Sequence, residues 1–555
     1  LNRTPLRRAP AWLAALAVLF TSLAPPVLPA ASAQVNLPSL GDGADEVGVG
    51  TERALGDRIM REVRRDPAYL DDPQLLEYMQ GVWRPLLAAA RSKGEIPADL
   101  EPRFAWELFL VRDRSVNAFA LPGGYVGTHL GLIALTQSRD ELASVLAHEL
   151  THVTQRHIAR GFANSRRQSM LALAGMMIGL LAAARSNSAD AANAAIVGGQ
   201  AVAVQGQLNF SRDMEREADR IGLALMGEAG FAPQGMALMF ERLEAASRLN
   251  DSGGFPYLRT HPLTTERIGE ARARIAQLGA PTGPGLRALG AAPPADPRAA
   301  AFDHAMAMAR ARVLMDLREE ALRRWQSLDA EPSVPAPGPP GGLEPALERF
   351  AALVSSALAS TQLRDWARAD AALQQAQAQA ARPARPWPGA ARALALLAAE
   401  SAVARGDGAR ALEALAPLLD RDGRPVSLLH AESLLAAPSA DPSALRRRAE
   451  ALQTWVAAQP ADALAWQALG RLWARLDQPL RAVRAEAEAR FALGDLAGAS
   501  DRLRAGQRLA RQAPERVGAE FIEASVIDAR LREVDALRRQ IFLEERGERG
   551  GAPGS

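Results

Sequence analysis

The sequence predicts a mainly α-helical protein with one small β-sheet in its N-terminal half, followed by a solenoid of paired helices. Three observations lead there. Apolar residues recur at helical spacing over most of the chain. Strand-like composition is confined to about residues 103–126, where Gly and Pro turn the chain back on itself. Beyond a proline-rich stretch, a turn-plus-small-residue pattern returns at irregular intervals.

Composition bounds the rest. A chain of 555 residues divides into two to four units at roughly 150 residues per domain. Hydrophobic residues make up 48% and charged residues 23%, an ordinary globular balance that leaves disorder a local matter. The formal net charge is only +2, and the basic side chains are scattered rather than striped, which excludes a nucleic-acid partner. With no cysteine, disulfides, thiolate metal sites and a lipid-bearing N-terminal Cys are excluded as well.

In order along the chain, Arg3, Arg7 and Arg8 precede an apolar run from Ala11 to Leu23, and Ala31-Ser32-Ala33 offers a small-x-small cleavage site. Residues 1–33 therefore read as a signal peptide and the rest as an exported protein. The alternative is a membrane anchor, for which the run falls short of the ~20 apolar residues a spanning helix needs. The first domain is placed at 34–280. It begins with helices over Asp45–Arg91, broken at Asp66-Pro67 and Asp72-Pro73. Phe104–Val111 reads as a strand, and Pro122-Gly123-Gly124 turns it into a second around Tyr125-Val126. Arg139–Arg160 follows as one helix, with Asp140 and Glu141 at its positive dipole end.

Apolar runs at Met170–Ala184 and Ala191–Val204 suggest a buried helical hairpin, with membrane or apolar-partner contact through 170–204 as the alternative. Pro and Gly crowd 280–295 and 331–342, so 281–342 is read as a linker region with a helical segment. Residues 343–545 carry the repeat pattern Arg364-Asp365-x-x-x-Ala369, Gly406-Asp407-x-x-x-Ala411 and Gly494-Asp495-x-x-x-Ala499, with Trp466-x-x-Leu469-Gly470-x-x-Trp473 as a packing set. These resemble tetratricopeptide repeats, which would stack into a concave surface for extended chains or partner helices. A plain helical bundle is the alternative. Residues 546–555 read as a flexible tail.

The chemistry centres on His148-Glu149-Leu150-Thr151-His152. Histidines four apart on a helix share one face and can hold one zinc ion, while Glu149, next to the first ligand, is placed to take a proton from an attacking water. A catalytic zinc generally needs a third protein ligand. An elongated version of the motif would need Gly and His where this chain has Gln155 and Ile158, so that version is excluded. A carboxylate from a later helix is the other solution. In Asp213-Met-Glu215-Arg-Glu217-Ala-Asp219, Glu215 and Asp219 share a face, with Glu215 able to ligate and Asp219 able to accept a bond from a ligand imidazole. Spacing alone leaves Asp213 and Glu217, also four apart, open.

These residues resemble the zinc endopeptidases of the HtpX and CAAX prenyl-endopeptidase type. His148-Glu149-x-x-His152 fits that family's first motif and Glu215-x-x-x-Asp219 its second. The resemblance implies a zincin-like metalloprotease fold, one zinc per chain with Glu215 as third ligand, and Glu217 as a neighbour. Asn117, Ala118, Phe119 and Ala120 match the segment that forms an edge strand along the cleft, where substrate adds as a strand. The order of signal peptide, peptidase domain and repeats is similar to that of periplasmic proteases of outer-membrane protein assembly. It implies protease and chaperone activity on unfolded or misassembled exported proteins, and contact with the β-barrel assembly machinery. A scaffold whose proteolysis is secondary or latent is the alternative.

Pro262 biases His261 toward an extended loop. His261 is a candidate fourth zinc ligand that keeps the enzyme latent, with a local packing role as the alternative. His129, His157, His304 and His430 lack ligand spacing and are expected in surface or core roles.

Overall fold

Four short strands make one sheet: β1 (Tyr69–Leu70), β2 (Glu107–Val111), β3 (Ala118–Leu121) and β4 (Tyr125–His129), in the order β1-β2-β4-β3. The β2/β4 pair is parallel and the other two pairs are antiparallel. The computed structural model describes residues 48–162, 212–248, 254–278, 296–330, 344–383, 386–420, 423–512 and 514–550. The expected signal peptide, the apolar runs at 170–204, both proline-rich clusters and residues 551–555 lie outside the described residues.

The sheet differs in two respects from the two strands read off composition and turn residues alone. The strand expected from Phe104 starts only at Glu107, because Trp106 takes a left-handed φ of 51° that no strand continues through. Trp106 is held there by its indole N–H on Glu101 O and by Trp83 Nε1 donating to its carbonyl, at 3.0 and 3.1 Å. The Pro122-Gly123-Gly124 turn joins two strands, so Ala118–Leu121 pairs as well. Gly123 and Gly124 take φ of 78° and 92°, and a Cβ on Gly124 would lie 2.8 Å from that of Phe104.

Nine helices are described alongside the sheet: α1 (Val49–Arg65), α2 (Pro73–Ser92), α3 (Leu130–Leu135), α4 (Arg139–Thr154), α5 (His157–Phe162), α6 (Arg212–Glu228), α7 (Gln234–Arg248), α8 (Pro256–Thr260) and α9 (Thr265–Leu278). Side-chain caps start three of them: Asp72 Oδ1 accepts from Leu75 N at 2.9 Å, Ser138 Oγ from Glu141 N at 3.1 Å and Thr264 Oγ1 from Arg267 N at 3.3 Å. Every residue of α4 from Glu141 to Thr154 is buried, against α2, α6, α7 and β3. The single helix expected over 139–160 is two. After Thr154 the chain turns through Arg156 at φ 51°, and Arg156 Nε bonds the buried Glu52 at 3.0 Å. That tertiary contact stabilises a backbone state disfavoured for a side-chain-bearing residue.

Among the described residues no helix is long and apolar enough to cross a membrane. The helix at Pro297–Leu314 packs on α2 and α3, and the core that holds Leu146 and Leu150 continues through Phe302, Phe350 and Trp387. Largely buried ion pairs tie the C-terminal helices to the segment ahead of α2. Arg310 bonds Asp72 and Glu400 at 2.7 to 3.0 Å, and Arg424 bonds Asp71 and Asp462 at 2.7 to 2.9 Å.

In the C-terminal helices, the turn pattern seen in the sequence has one physical cause. Arg364, Gly406 and Gly494 each end a helix with φ between 59° and 80°. The following Asp365, Asp407 and Asp495 reach back five residues with their amides and cap the next helix with their side chains. Ala369, Ala411 and Ala499 lie four residues on, at most 2% exposed, where neighbouring helices meet closely.

Candidate metal centre

One turn of α4 carries His148 and His152 to the same face, and α6 crosses it. Four donors converge: His148, His152, Glu215 and His261 each offer one ligand atom within 4.8 Å of the others, all from buried side chains. His148 Nε2 lies 3.0 Å from His152 Nε2 and 3.5 Å from Glu215 Oε2, while His152 Nε2 lies 3.4 Å from Glu215 Oε1. Donors around a tetrahedral zinc at 2.0–2.1 Å stand about 3.3 Å apart, so these separations fit one ion. The chemistry fits too. Two imidazole nitrogens this close share a proton or a cation, and no thiolate is present to select a softer metal.

The charge around the donors favours a cation. Burial works against a charged His148, but Glu215 and Asp219 outweigh it and raise its pKa to about 10. Burial likewise pushes Glu215 up, yet His261 and His148 hold it well below the usual carboxylate range. Glu149 is fully buried, and among the described residues neither of its carboxylate oxygens has a hydrogen-bond partner; His261 Nε2 lies 3.5 Å from Oε1. A carboxylate kept this way is costly, and it is the arrangement expected of a base awaiting a proton.

The second carboxylate pair is divided by function of place. His148 Nδ1 donates to Asp219 Oδ1 at 2.9 Å, the bond that fixes its tautomer and presents Nε2 to the site. Asp219 stays below its usual pKa because Arg267 and His148 outweigh the effect of burial. Of the alternative carboxylates, Asp213 is exposed and pairs with Arg216 at 2.7 Å, away from the donors. Glu217 reaches neither donor imidazole but bonds His157 Nε2 at 3.0 Å.

His261 follows α8 at φ −123° and ψ 76°, out of the helical region that Pro262 disfavours but short of the extended backbone expected from the sequence. Its ring stacks on Tyr257 with centroids 4.7 Å apart, and its Nδ1 lies 2.9 Å from Glu215 Oε1 and 3.3 Å from His148 Nε2. Of the expected edge segment, Ala118, Phe119 and Ala120 lie in β3, the last strand of the sheet, which packs on α4, and Asn117 precedes it. Asn117 O already accepts from His129 N at 3.0 Å.

Two site residues escaped the sequence reading. Arg267 forms a fork on Asp219 at 2.7 and 2.8 Å and places Nη1 2.8 Å from Glu215 Oε2. His157 is fully buried with Nδ1 2.8 Å from His152 Nδ1. His129 and His304 are core residues, bonded to Ser115 Oγ at 2.9 Å and to Tyr78 Oη at 2.7 Å.

Comparison with known proteins agrees with this geometry. Residues 83–275 match the model of peptidase family M48. The "Beta-barrel assembly-enhancing protease" of Escherichia coli (strain K12) is 34% identical over 243 residues, 44% of this chain and 47% of that protein. A Vibrio cholerae protein given the same name provisionally is 39% identical over 266 residues, 47% of this chain and 52% of that protein. The "Mitochondrial metalloendopeptidase OMA1" of Schizosaccharomyces pombe is 37% identical over 163 residues, 29% of this chain and 44% of that protein. The chain thus spans about half the length of the curated relatives it matches. With the donors, the buried carboxylate and the matched residues in one place, the chain carries a metallopeptidase domain of peptidase family M48.

Proposed function

We propose that this chain is a zinc-dependent endopeptidase of the bacterial periplasm that acts on misassembled or unfolded outer-membrane proteins. In this reading, residues 343–545 are tetratricopeptide-like repeats that engage clients, or partners such as the β-barrel assembly machinery, and add chaperone activity. The observation that carries the catalytic part is the convergence of His148, His152 and Glu215 beside a Glu149 carboxylate with no hydrogen bond. The names of the relatives support the substrate class, and the Arg-flanked apolar N-terminus supports export.

His148, His152 and Glu215 would hold the ion. Zinc bound there supplies Lewis acidity toward a peptide carbonyl and acidifies water. Glu149 takes the proton of the attacking water on its carboxylate and returns it to the departing amine nitrogen. Asp219 keeps the His148 proton on Nδ1, and Arg267 keeps Asp219 ionised. A substrate strand adds along Asn117, Ala118, Phe119 and Ala120 at the sheet edge, positioned by main-chain pairing rather than by side-chain sequence. His261 occupies the fourth corner of the donor set, so it acts as a latch that must leave before substrate enters.

Complementation tests this reading. A deletion strain that accumulates misassembled β-barrel protein should recover with the unaltered gene and not with Glu149→Gln. Full recovery with Glu149→Gln would move the function to the helical repeats as a scaffold.

A further inference from the structure

Where two histidines ligate one ion, each must carry its proton on the nitrogen turned away from the metal, and something must hold that proton. His148 uses Asp219 directly. On the outer side of His152, His157 Nδ1 stands 2.8 Å from His152 Nδ1. We propose that His157 and Glu217 are a positioning pair that fixes the tautomer and ring orientation of the metal ligand His152. This rests on the metal-site reading above.

The proton positions follow from the partners. Only one nitrogen of the 2.8 Å pair can carry a proton in that bond. If His152 donates from Nδ1, its Nε2 lone pair faces the metal site, and His157 accepts on Nδ1 and holds its own proton on Nε2. That Nε2 lies 3.0 Å from Glu217 Oε2, an acceptor-only group, so every bond has one donor. The opposite assignment leaves a His157 lone pair facing a carboxylate and strips His152 of its Nε2 lone pair. Arg160 Nη1 bonds the same Glu217 oxygen at 2.9 Å and keeps it ionised. The string Glu217–His157–His152 therefore does through one extra imidazole what Asp219 does for His148.

Local backbone makes the string possible. In an unbroken helix a residue five along would point away from His152. The left-handed turn at Arg156, anchored on Glu52, swings His157 back beneath it, and its ring centroid lies 4.8 Å from that of His152. Glu217 comes from α6, the helix that brings Glu215, so one helix supplies both a donor and the far end of the string.

The test is zinc affinity of the full chain, measured by chelator competition, with melting of the zinc-free protein in parallel. His157→Leu should weaken zinc binding about 10- to 100-fold, and Glu217→Leu should weaken it about 3- to 10-fold. His157→Asn, whose Oδ1 can accept where Nδ1 did, should recover most of the loss, which a merely space-filling role would not allow. Zinc affinity within twofold of the unaltered chain in both Leu variants would overturn the proposal. Should His157→Leu fail to fold, Glu217→Leu, at a partly exposed position, decides alone. If the unaltered chain binds no zinc, or His152→Ala binds it equally well, the metal-site reading itself fails and the pair falls with it.

Discussion

Gly222 lies against the backbone of His148: a methyl at 222 would come within 3.2 Å of the His148 amide nitrogen and 3.3 Å of the Ala147 carbonyl carbon. Those atoms belong to the hydrogen-bonded interior of α4 and cannot swing aside. α6 would have to retreat by a few tenths of an ångström, taking with it Asp219 and Glu215, one and two turns away on the same helix. Gly222→Ala should therefore destabilise the protein by about 1–3 kcal/mol and weaken zinc binding. Denaturant titration with chelator competition checks both.

Arg267 is buried between two carboxylates and over the Phe240 ring, its guanidinium carbon 5.4 Å from the ring centroid. Removing one partner of a buried ion pair costs about 3–5 kcal/mol. Arg267→Met should lower the melting temperature of the zinc-free protein by several degrees, and added zinc should restore part of the loss because it neutralises Glu215. Equal melting of Arg267→Met and the unaltered chain without zinc would refute this role.

His304 gives a pH dependence whose sign is fixed by burial. Its Nε2 donates to Thr136 O at 3.0 Å and its Nδ1 accepts from Tyr78 Oη, while burial lowers its pKa from 6.5 to about 4. Above pH 6.5 it is neutral folded or unfolded, and its contribution is fully present. As the pH falls from 6.5 toward 4 the unfolded state gains a proton that the folded state refuses, and stability is lost. At pH 5 the loss is on the order of 2 kcal/mol relative to neutral pH. Urea titrations at pH 7 and pH 5 should show His304→Gln less stable at pH 7 but losing less on acidification.

His261 sits among the donors, so its removal should open the site. His261→Ala is expected to raise basal casein hydrolysis at least severalfold. A rate no higher than that of the unaltered chain would leave His261 a packing residue.

The donors on α4 and α6 were legible because a spacing of four on a helix is a local property, and Asp140 and Glu141 marked the start of α4 in the same way. The break after Thr154 was not. Neither Gln155 nor Arg156 disfavours a helix, and the left-handed Arg156 is stabilised by Glu52, 104 residues earlier in the chain. His157 was hidden with it, since its approach to His152 exists only because the helix ends. Arg267 stands 48 residues beyond Asp219 in an ordinary polar segment, and only the packing of α9 on α6 brings the two together. The strand at Ala118–Leu121 is four residues of small and apolar type beside a Gly-Gly turn, too short for periodicity to separate it from loop. What tertiary contact created, local sequence could not carry.

Zinc content and casein hydrolysis of the full chain, unaltered against Glu149→Gln, test the central claim most directly. The account expects one zinc per chain in both proteins, hydrolysis by the unaltered chain, and a rate lower by about 100- to 10,000-fold in Glu149→Gln. Equal hydrolysis by the two proteins, or an unaltered chain that holds no zinc, would contradict it.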